Sequence, residues 1–236
     1  SISAQLMNLV GPDSVVSFAK RMGIKSPLEA TPSLCLGTGD VNLFEMVDAY
    51  SVFVNDGVWV QPQFLLRIED KYGNVLEEFN TSSHQVINEE TAFNMVELLK
   101  GSVEEAGGTS VDLRGKFNIK GDLGGKTGTT QNSADGWFMG ITPNLVTGVW
   151  VGGEKRVIRF NTMTYGQGAR MALPIWAYYM QGVQNESGTA YPASLFMKPD
   201  GNTKKVVSTE GHTLEEELIP VEEPQIEEVE VQDGFN

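Results

Sequence analysis

The feature that most constrains the fold is a change of hydrophobic period near position 124. After it, three consecutive segments are predicted as strands, residues 125–130, 134–141 and 145–152, and only Thr142-Pro143-Asn144 joins the last two. So short a turn makes its two strands antiparallel neighbours. Before position 124 apolar residues mostly recur at helical spacing, and another helical pattern follows the strands. This order predicts an α+β fold in which an antiparallel sheet packs against helices.

Capping residues divide the rest of the chain into elements. Asn, Asp or Ser favours a helix start, and glycine favours a left-handed helix end. These signals predict five helices. The first ends at Gly11-Pro12, and the second runs from Asp13 or Ser14 to Gly23. The third runs from Asn42, with Glu45 as its capping-box partner, to Asn55-Asp56-Gly57, the fourth from Asn88 to Gly107-Gly108, and the fifth over about 171–183. Extended runs at 60–69 and 75–79 flank Lys71-Tyr72-Gly73-Asn74 and predict a hairpin. Pro174 suits the last helix only in its first turn.

The net charge of −14 is concentrated at the C-terminal end. Residues 206–236 hold ten acidic side chains and neither Lys nor Arg, which leaves 17 basic and 21 acidic residues at positions 1–205. We therefore predict a folded domain over 1–200 and an acidic, disordered tail over 201–236. The nearly balanced folded part has no basic patch for nucleic acid, and no run approaches the ~18 apolar residues of a transmembrane helix.

The run Gly124-Gly125-Lys126-Thr127-Gly128-Thr129-Thr130 carries the candidate chemistry. Because Gly128 lacks a Cβ, another backbone can approach this strand closely. Free amides at a sheet edge can pair with an extended peptide, or point at an oxygen that gains charge during acyl transfer. Lys126 would supply a point charge, and the hydroxyls of Thr127 and Thr129 would bind a carboxylate. The run thus predicts an anion-binding strand at a sheet edge.

Simpler interpretations apply to these and to other polar residues. Lys-Thr-Gly alone is short enough to recur by chance, with a solvated lysine. A Walker phosphate loop is excluded, because its spacing requires glycine at the position of Lys120 and a helix after the motif. His84 and His212 lack metal-ligand spacing, so neither a metal nor a cofactor is predicted. Three carboxylates are interpreted as helix-start and helix-surface charges: Asp40, Glu45 and Asp48.

The surroundings of the motif resemble the transpeptidase domain of class A penicillin-binding proteins. The resemblance rests first on Lys126-Thr127-Gly128-Thr129-Thr130, on Asp135-Gly136-Trp137-Phe138-Met139-Gly140, and on Val149-Trp150-Val151-Gly152. Further matching segments are Gly11-Pro12, Ala19-Lys20-Arg21-Met22-Gly23-Ile24, Pro32-Ser33-Leu34-Cys35-Leu36-Gly37, Glu45-Met46 and Ala172-Leu173-Pro174-Ile175-Trp176. Together they span roughly residues 1–185, most of the chain.

That resemblance implies an incomplete penicillin-binding, serine β-lactamase-like fold with three site motifs, Ser-x-x-Lys, Ser-x-Asn and Lys-Thr-Gly. It implies a serine that attacks the penultimate D-alanine carbonyl of a peptidoglycan stem peptide, releases the terminal D-alanine and passes the acyl group to a neighbouring amine. β-Lactams would acylate the same serine. By position, the implied catalytic residues are Lys126, for the electrostatics of the cleft, and Thr129, whose N–H would be one oxyanion donor. Substrate binding is implied for Lys126, Thr127, Gly128, Thr129 and Thr130.

Two structural expectations accompany these roles. The strand should have an open edge, and Lys126 should line a groove. Bulk water around the lysine, or a segment of this chain over the edge, would contradict the assignment. Asp135, Trp137 and Phe138 are interpreted as structural residues that hold the next strand in register.

The sequence departs from the family pattern at its start. Positions 1–7 match the residues that would follow the Ser-x-Asn motif, and position 1 is Ser rather than Met. We therefore expect a fragment or processed piece, whose two upstream motifs and nucleophile lie outside this sequence. Ser17-Phe18-Ala19-Lys20 has the spacing of Ser-x-x-Lys, but it follows the place of the second motif and falls in a predicted amphipathic helix. It is rejected as the nucleophile, and the fragment alone is expected to be inactive.

Three functions compete on the sequence. The preferred one is part of a peptidoglycan D,D-transpeptidase that binds penicillin. A D,D-carboxypeptidase or serine β-lactamase, which passes the acyl group to water, is disfavoured by Asp135-Gly136-Trp137-Phe138, and an inactive penicillin-binding or sensor module is the third. The resemblance implies stem peptides and β-lactams as partners, no nucleic acid, and a place on the extracytoplasmic face of the bacterial cell membrane (the periplasm), anchored by an N-terminal segment that this sequence lacks.

Overall fold

A computed structural model describes residues 2–186 and 188–199. Its helices are α1 (Ile2–Val10), α2 (Pro12–Arg21), α3 (Leu43–Val54), α4 (Glu89–Glu104), α5 (Asp112–Gly115), α6 (Met163–Gly166) and α7 (Gly168–Asn185). Its strands are β1 (Val58–Val60), β2 (Arg67–Glu69), β3 (Val75–Glu78), β4 (Ser83–Gln85), β5 (Gly124–Thr129), β6 (Asp135–Thr142) and β7 (Leu145–Gly152). The predicted acidic tail, 201–236, lies outside the described residues, so its disorder and the boundary near 200 stay predictions.

The main sheet consists of β5, β6 and β7 in that order, all antiparallel. The three strands predicted from the sequence are confirmed, with ends that differ by at most one residue. α7 packs against β6, while α4 packs against β5 and α3 against β7. The predicted α+β fold, with an antiparallel sheet packed against helices, is confirmed.

Alternate residues of β6 bury opposite faces of this sheet, as the period of a strand requires. Phe138 meets Trp176 of α7 edge to face, with ring centroids 5.3 Å apart. Ile141, on the other face, packs in a buried cluster with Leu99 of α4. Gly140 leaves room for the indole, since a Cβ there would lie 2.5 Å from Trp176 Nε1. Burial on both faces fixes the register of β6, and with it the position of β5.

Two small antiparallel pairs lie apart from the main sheet. β2 and β3 form the predicted hairpin, in which Arg67 pairs with Glu78. The single extended run predicted over 60–69 is wrong, because β1 ends at Val60 and pairs with β4 instead. Pro62 explains the break, since it has no N–H to donate to a strand ladder.

Two helix starts are confirmed and two differ from the prediction. Asn42 and Asn88 accept backbone hydrogen bonds at the starts of α3 and α4, at 2.9 and 2.7 Å. α2 begins at Pro12 and not after a capping Asp or Ser, because proline's fixed φ suits a first helical position. α7 begins at Gly168, which puts Pro174 in its second turn and removes one intrahelical hydrogen bond. None of the helices in the described part is long and apolar enough to span a bilayer.

Glu45 lies in the first turn of α3, as predicted for a helix-start charge, but the expected surface exposure of Glu45 and Asp48 is wrong, because both are buried. Ser26 donates its N–H and its hydroxyl to Glu45 Oε2 at 3.3 and 2.6 Å, and Trp59 Nε1 donates to Asp48 Oδ2 at 2.9 Å. Burial alone would raise the pKa of Glu45, but the hydrogen bonds from Ser26 hold it below its usual value. Burial raises the pKa of Asp48 despite the bond from Trp59. The two carboxylates therefore tie surrounding segments to α3.

Candidate active site

β5 is the edge strand of the main sheet. Thr130 N donates to the Asp135 carbonyl at 3.2 Å where the pairing with β6 ends. Hydrogen-bonded and non-hydrogen-bonded pairs alternate along an antiparallel ladder, so Gly125, Thr127 and Thr129 direct their backbone groups away from β6. In the described sheet β5 has no second neighbour. The amides of Thr127 and Thr129 thus face an open edge, which agrees with the expectation from the sequence.

One neighbouring element limits this open edge, and another lies over the face of the sheet. The Ser102 hydroxyl of α4 donates to the Gly125 carbonyl at 2.7 Å, which occupies the N-terminal end of the edge. The first turn of α7 covers the sheet face where β5 pairs with β6: a Cβ on Gly168 would lie 2.6 Å from the Trp137 carbonyl oxygen and would overlap that of Gly128. The open edge is therefore the short stretch 126–129, with α7 against its face.

Thr129 lies at the end of this stretch, with an exposed side chain whose hydroxyl is anchored. The N–H of Gly168, the first residue of α7, donates to Thr129 Oγ1 at 3.0 Å. A hydroxyl has one proton and two acceptor lone pairs, so the Thr129 proton remains available to a second partner. The helix N-terminus also carries partial positive charge, which favours an anionic partner. Thr129 therefore presents an amide and a hydroxyl donor at one place.

Thr127 is half-buried and its hydroxyl is engaged within the protein. It donates to Thr109 Oγ1, in the connection between α4 and α5, at 3.1 Å. A carboxylate that approached Thr127 would need this proton to turn away from Thr109. Among the described residues, Thr129 is thus the better prepared donor of the two.

Lys126 is exposed, whereas the sequence led us to expect a lysine that lines a groove. Its Nζ donates to the Thr127 carbonyl at 2.8 Å, so the ammonium folds over its own strand. No described element faces it across the open edge of β5. The described residues therefore form no groove around Lys126, which differs from the expectation, and a role for its ammonium in the site stays a proposal.

Gly128 provides close packing behind the open edge. A Cβ there would lie 3.0 Å from Trp137 Cβ on the paired strand, which is tighter than ordinary contact. Its carbonyl also touches the first turn of α7, as described above. The clearance that the sequence predicted for another backbone is, on this side, used by Trp137 and α7.

The loop after β5 has a constrained shape. Thr130 Oγ1 accepts the Asp135 N–H at 2.9 Å, which holds the two strand ends together. Between them, Asn132 and Ser133 have φ of +60° and +55°, a conformation that non-glycine residues adopt at a free-energy cost and that is frequent near functional sites. The contact agrees with a structural role for Asp135, while a substrate contact of Thr130 stays a prediction.

An open cavity of about 600 Å³ lies at α6 and the start of α7. It is lined by Met163, Thr164, Tyr165, Gln167 and Arg170, from α6 and the start of α7. Gln167 directly precedes the glycine that donates to Thr129. No motif or hydrophobic pattern in the sequence indicates this cavity.

Ser17 lies on the exposed side of α2. The inward residues Phe18 and Ala19 pack with a buried cluster around Val52, which is separate from the clusters beneath β5 and β6. This placement agrees with the rejection of Ser17 as a nucleophile. Among residues 2–186 and 188–199, no group of three or more His, Cys, Asp or Glu is arranged to hold a metal ion.

Sequence reasoning missed three residues that hold the candidate site in shape: Ser102, Thr109 and Gly168. Each bonds a β5 residue that lies 18 to 39 positions away in the chain. Contacts at such separations leave no periodic or capping signal. The one usable hint was the glycine just before the final apolar helix.

Comparison with known proteins gives one consistent family. The model of the penicillin binding protein transpeptidase domain matches residues 9–170. Penicillin-binding protein 2D of Bacillus subtilis is 35% identical over 210 residues, which are 85% of this chain and 28% of that protein. Penicillin-binding protein 1A of Aquifex aeolicus is 33% identical over 200 residues, 85% of this chain and 26% of that protein.

Solved structures agree with this result. Penicillin-binding protein 1A from Haemophilus influenzae matches with a TM-score of 0.69 and 26% identity, over 79% of this chain and 33% of that one. The PonA1 protein from Mycobacterium tuberculosis, in complex with penicillin V, matches in fold with a TM-score of 0.63 and 24% identity, over 80% and 55% of the two chains. The chain spans about a quarter of the length of the curated relatives it matches. It belongs to the family of penicillin-binding protein transpeptidase domains, of which it covers a part.

Proposed function

We propose that this chain is the C-terminal wall of a peptidoglycan D,D-transpeptidase site, within a longer parent protein that supplies the serine nucleophile. The wall consists of the open edge of β5, with Lys126, Thr127 and Thr129 as its donors. The chain alone has no such serine in the site and is inactive. The parent acts on the extracytoplasmic face of the bacterial cell membrane, where its stem-peptide substrates lie.

The reaction has two acyl-transfer steps. The serine oxygen attacks the carbonyl of the penultimate D-alanine, an ester forms, and the terminal D-alanine leaves with the proton on its amine. An amine of a neighbouring stem peptide then attacks the ester, an amide forms, and the serine regains its proton. In both steps negative charge builds on the carbonyl oxygen, and N–H donors aimed at that oxygen stabilise it.

The observation that carries this proposal is the direction of the Thr129 backbone. Its amide points away from β6 at an edge where the described sheet has no further strand, and its hydroxyl is held by α7 with the proton uncommitted among the described residues. An extended peptide that pairs with this edge brings its carbonyl to the amide and its terminal carboxylate to the hydroxyl and the ammonium of Lys126. These are the donors that a D-alanyl terminus requires.

Covalent labelling with a fluorescent penicillin tests the proposal. The parent protein is expected to carry one label that survives denaturing gel electrophoresis, because the label is an ester to the serine. The 236-residue chain is expected to carry none. A labelled chain would refute the assignment of the nucleophile to the upstream part, and an unlabelled parent would refute the enzyme and favour an inactive binding module.

A second experiment tests the role of Lys126. Lys126→Ala in the parent is expected to slow penicillin acylation by about tenfold or more, since hydrogen bonds to charged groups contribute roughly 1.5–3 kcal/mol. Lys71→Ala, at the exposed turn between β2 and β3, is the matched control and should leave the rate unchanged. Equal rates for the two variants would remove Lys126 from the site.

Product analysis distinguishes transpeptidation from hydrolysis. The parent is incubated with a stem-peptide donor and an amine acceptor, and the products are separated by mass. A transpeptidase yields the cross-linked amide, whereas a D,D-carboxypeptidase yields only the shortened free acid. Hydrolysis alone at saturating acceptor would contradict the proposed acceptor chemistry.

A further inference from the structure

The β2–β3 hairpin is a two-stranded ribbon that leaves apolar side chains exposed. Leu66 and Ile68 alternate with charged residues along one face of β2, and 68% and 39% of their surfaces are exposed. No other described strand pairs with either strand of the hairpin. A two-stranded ribbon is marginally stable alone in water, and its unpaired edges can pair with another chain. The hairpin therefore has the features of an interaction surface.

The free side of β2 presents the backbone groups of two oppositely charged residues. Leu66 and Asp70 each form a backbone hydrogen bond to the β3 side of the hairpin, at 2.9 Å in both cases. Because the direction of the backbone groups alternates along a strand, Arg67 and Glu69 direct their N–H and C=O groups to the opposite side. The open edge of β2 thus consists of one cationic and one anionic residue on either side of Ile68.

This order of charges matches a second copy of the same strand. When β2 pairs antiparallel with its copy about a two-fold axis at Ile68, Arg67 lies opposite Glu69 of the partner subunit. Each such pair exchanges two N–H···O bonds, and opposite charges directly across two strands stabilise the pairing. Arg67 Nε already contacts Glu69 Oε1 within the strand, at 2.6 Å. The four side chains then alternate in sign around the axis.

Other two-fold pairings of the hairpin are less suitable. An axis at Arg67 or at Glu69 places each charge opposite its own copy, which is destabilising. On the outer edge of β3, axes at Glu77 and Glu78 have the same defect. The irregular pairing at Val75 interrupts the ladder beside these residues. The charge pattern therefore selects both the edge and the register.

Apolar side chains line the opposite face of the paired strands. Ile68 lies across the axis from Ile68 of the partner subunit, as a non-hydrogen-bonded pair whose side chains are close. Leu66 is the diagonal neighbour of this pair, within reach of it. Self-pairing thus removes from water the apolar surface that the hairpin alone leaves exposed.

We infer that the open edge of β2 is a self-association surface, through which two copies of the parent protein pair strand to strand about an axis at Ile68. The inference does not depend on the proposed function, because it uses only the hairpin. The paired strands are short and the interface is small, so the association is reversible, with a Kd on the order of 10 μM.

Charge reversal tests the pairing, with the Kd of self-association measured by sedimentation velocity of the purified parent. Arg67→Glu and Glu69→Arg are each expected to weaken self-association about tenfold or more, since each places two like-charge pairs across the axis. The double variant, Arg67→Glu with Glu69→Arg, should restore it. An equimolar mixture of the two single variants should form a heterodimer, because each then faces only opposite charges.

Two measurements control for effects other than the pairing. Arg156→Glu reverses the charge of an exposed arginine that pairs with Asp40 after β7, and it should leave the Kd unchanged. Thermal unfolding of each variant should give the wild-type Tm, because the altered side chains of the hairpin are exposed.

Disulfide formation tests the position of the axis independently of charge. Ile68→Cys, in a parent whose Cys35 and any other cysteine are replaced by serine, brings two Cα atoms to about 4.5 Å, within the range of a disulfide. Mild oxidation should therefore link two copies. Glu77→Cys, on β3 opposite Ile68, is the matched control, and it should stay unlinked because its two copies lie about 14 Å apart, three strand spacings.

Each result bears directly on the inference. A parent that remains monomeric up to about 200 μM, well above the expected Kd, would overturn it. Self-association that survives both single charge reversals, or that the double variant does not restore, would exclude this edge and register. Equal linking of the Ile68→Cys and Glu77→Cys variants would also contradict the axis at Ile68. None of these outcomes affects the proposed function.

Discussion

Replacing Gly168 by alanine should disturb the candidate site by displacing the first turn of α7, which packs against the sheet. The Cβ of Gly168→Ala would lie 2.6 Å from the Trp137 carbonyl oxygen and would overlap that of Gly128, and both are backbone atoms of the sheet. Neither strand can give way, because β6 is buried against α7 on one side and α4 on the other. The first turn of α7 must therefore move, and with it the N–H that is bonded to Thr129 Oγ1 at 3.0 Å.

The magnitude follows from three terms. Overpacking of one methyl group costs about 1–3 kcal/mol, and the gain of alanine over glycine in a helix offsets roughly 0.5–1 kcal/mol of it. We expect a net loss of about 1–2 kcal/mol, which is roughly 2–8 °C in Tm for a domain of this size. Losing the bond that orients the Thr129 hydroxyl removes about another 1 kcal/mol from the acylation step, roughly a fivefold lower rate.

The assay compares Gly168→Ala with Gly182→Ala in the parent protein. Gly182 lies in the same helix with nothing within 4 Å of an added Cβ, so this control should be neutral or slightly stabilising. Thermal unfolding gives the change in Tm, and stopped-flow penicillin binding gives the acylation rate. If Gly168→Ala behaved like the control in both measurements, the packing of α7 against β5 would not be as described.

Three further predictions concern other contacts. Thr109→Val in the parent should raise the affinity for D-alanyl-D-alanine peptides about two- to tenfold, because the Thr127 hydroxyl then gives up no hydrogen bond within the protein when it turns to a carboxylate, whereas Thr109→Ser should leave the affinity unchanged; equal effects of both would exclude that hydrogen bond. Glu45 has a pKa below its usual 4.5, so its contribution to stability is present above pH 4.5 and is lost as the pH falls through the lowered value. Glu45→Gln should therefore flatten this part of the curve of Tm against pH. An unchanged slope would contradict the stabilising role of the Glu45 carboxylate. Gly140→Ala should destabilise by about 1–3 kcal/mol in urea unfolding, because its Cβ meets Trp176, and a neutral effect would contradict the described packing.

Local signals were sufficient for most elements of the fold. The sheet strands, the Asn42 and Asn88 caps and the β2–β3 hairpin each depend on neighbours in sequence, and the sequence placed them well. The wrong predictions concern strand pairing and burial that depend on residues far apart in the chain. The partner of β1 is a strand more than twenty positions away, and the burial of Glu45 depends on Ser26 from another segment.

The candidate site likewise has features that the sequence predicts and features that depend on distant residues. The motif run could be recognised because its residue types are unusual for a strand, and the open edge followed from the order of the strands. The engagement of Thr127 and the anchoring of Thr129 could not be predicted, since Thr109 and the start of α7 approach only in the folded chain. The exposure of Lys126 was also missed, because a sequence does not show which elements surround a side chain.

The contact of Lys126 with its own strand bears on the proposed addition of a peptide to the open edge. The ammonium occupies the Thr127 carbonyl, which is a backbone acceptor directed at the open side. A peptide that adds to this edge offers an N–H to the same carbonyl and a terminal carboxylate to the displaced ammonium. The exchange leaves neither the carbonyl nor the lysine without a partner, so opening the edge carries only a small desolvation penalty. The two threonines are fixed by other elements, whereas the lysine is held only by the strand it must release, so we assign the preorganised part of the site to Thr129 and the adaptable part to Lys126.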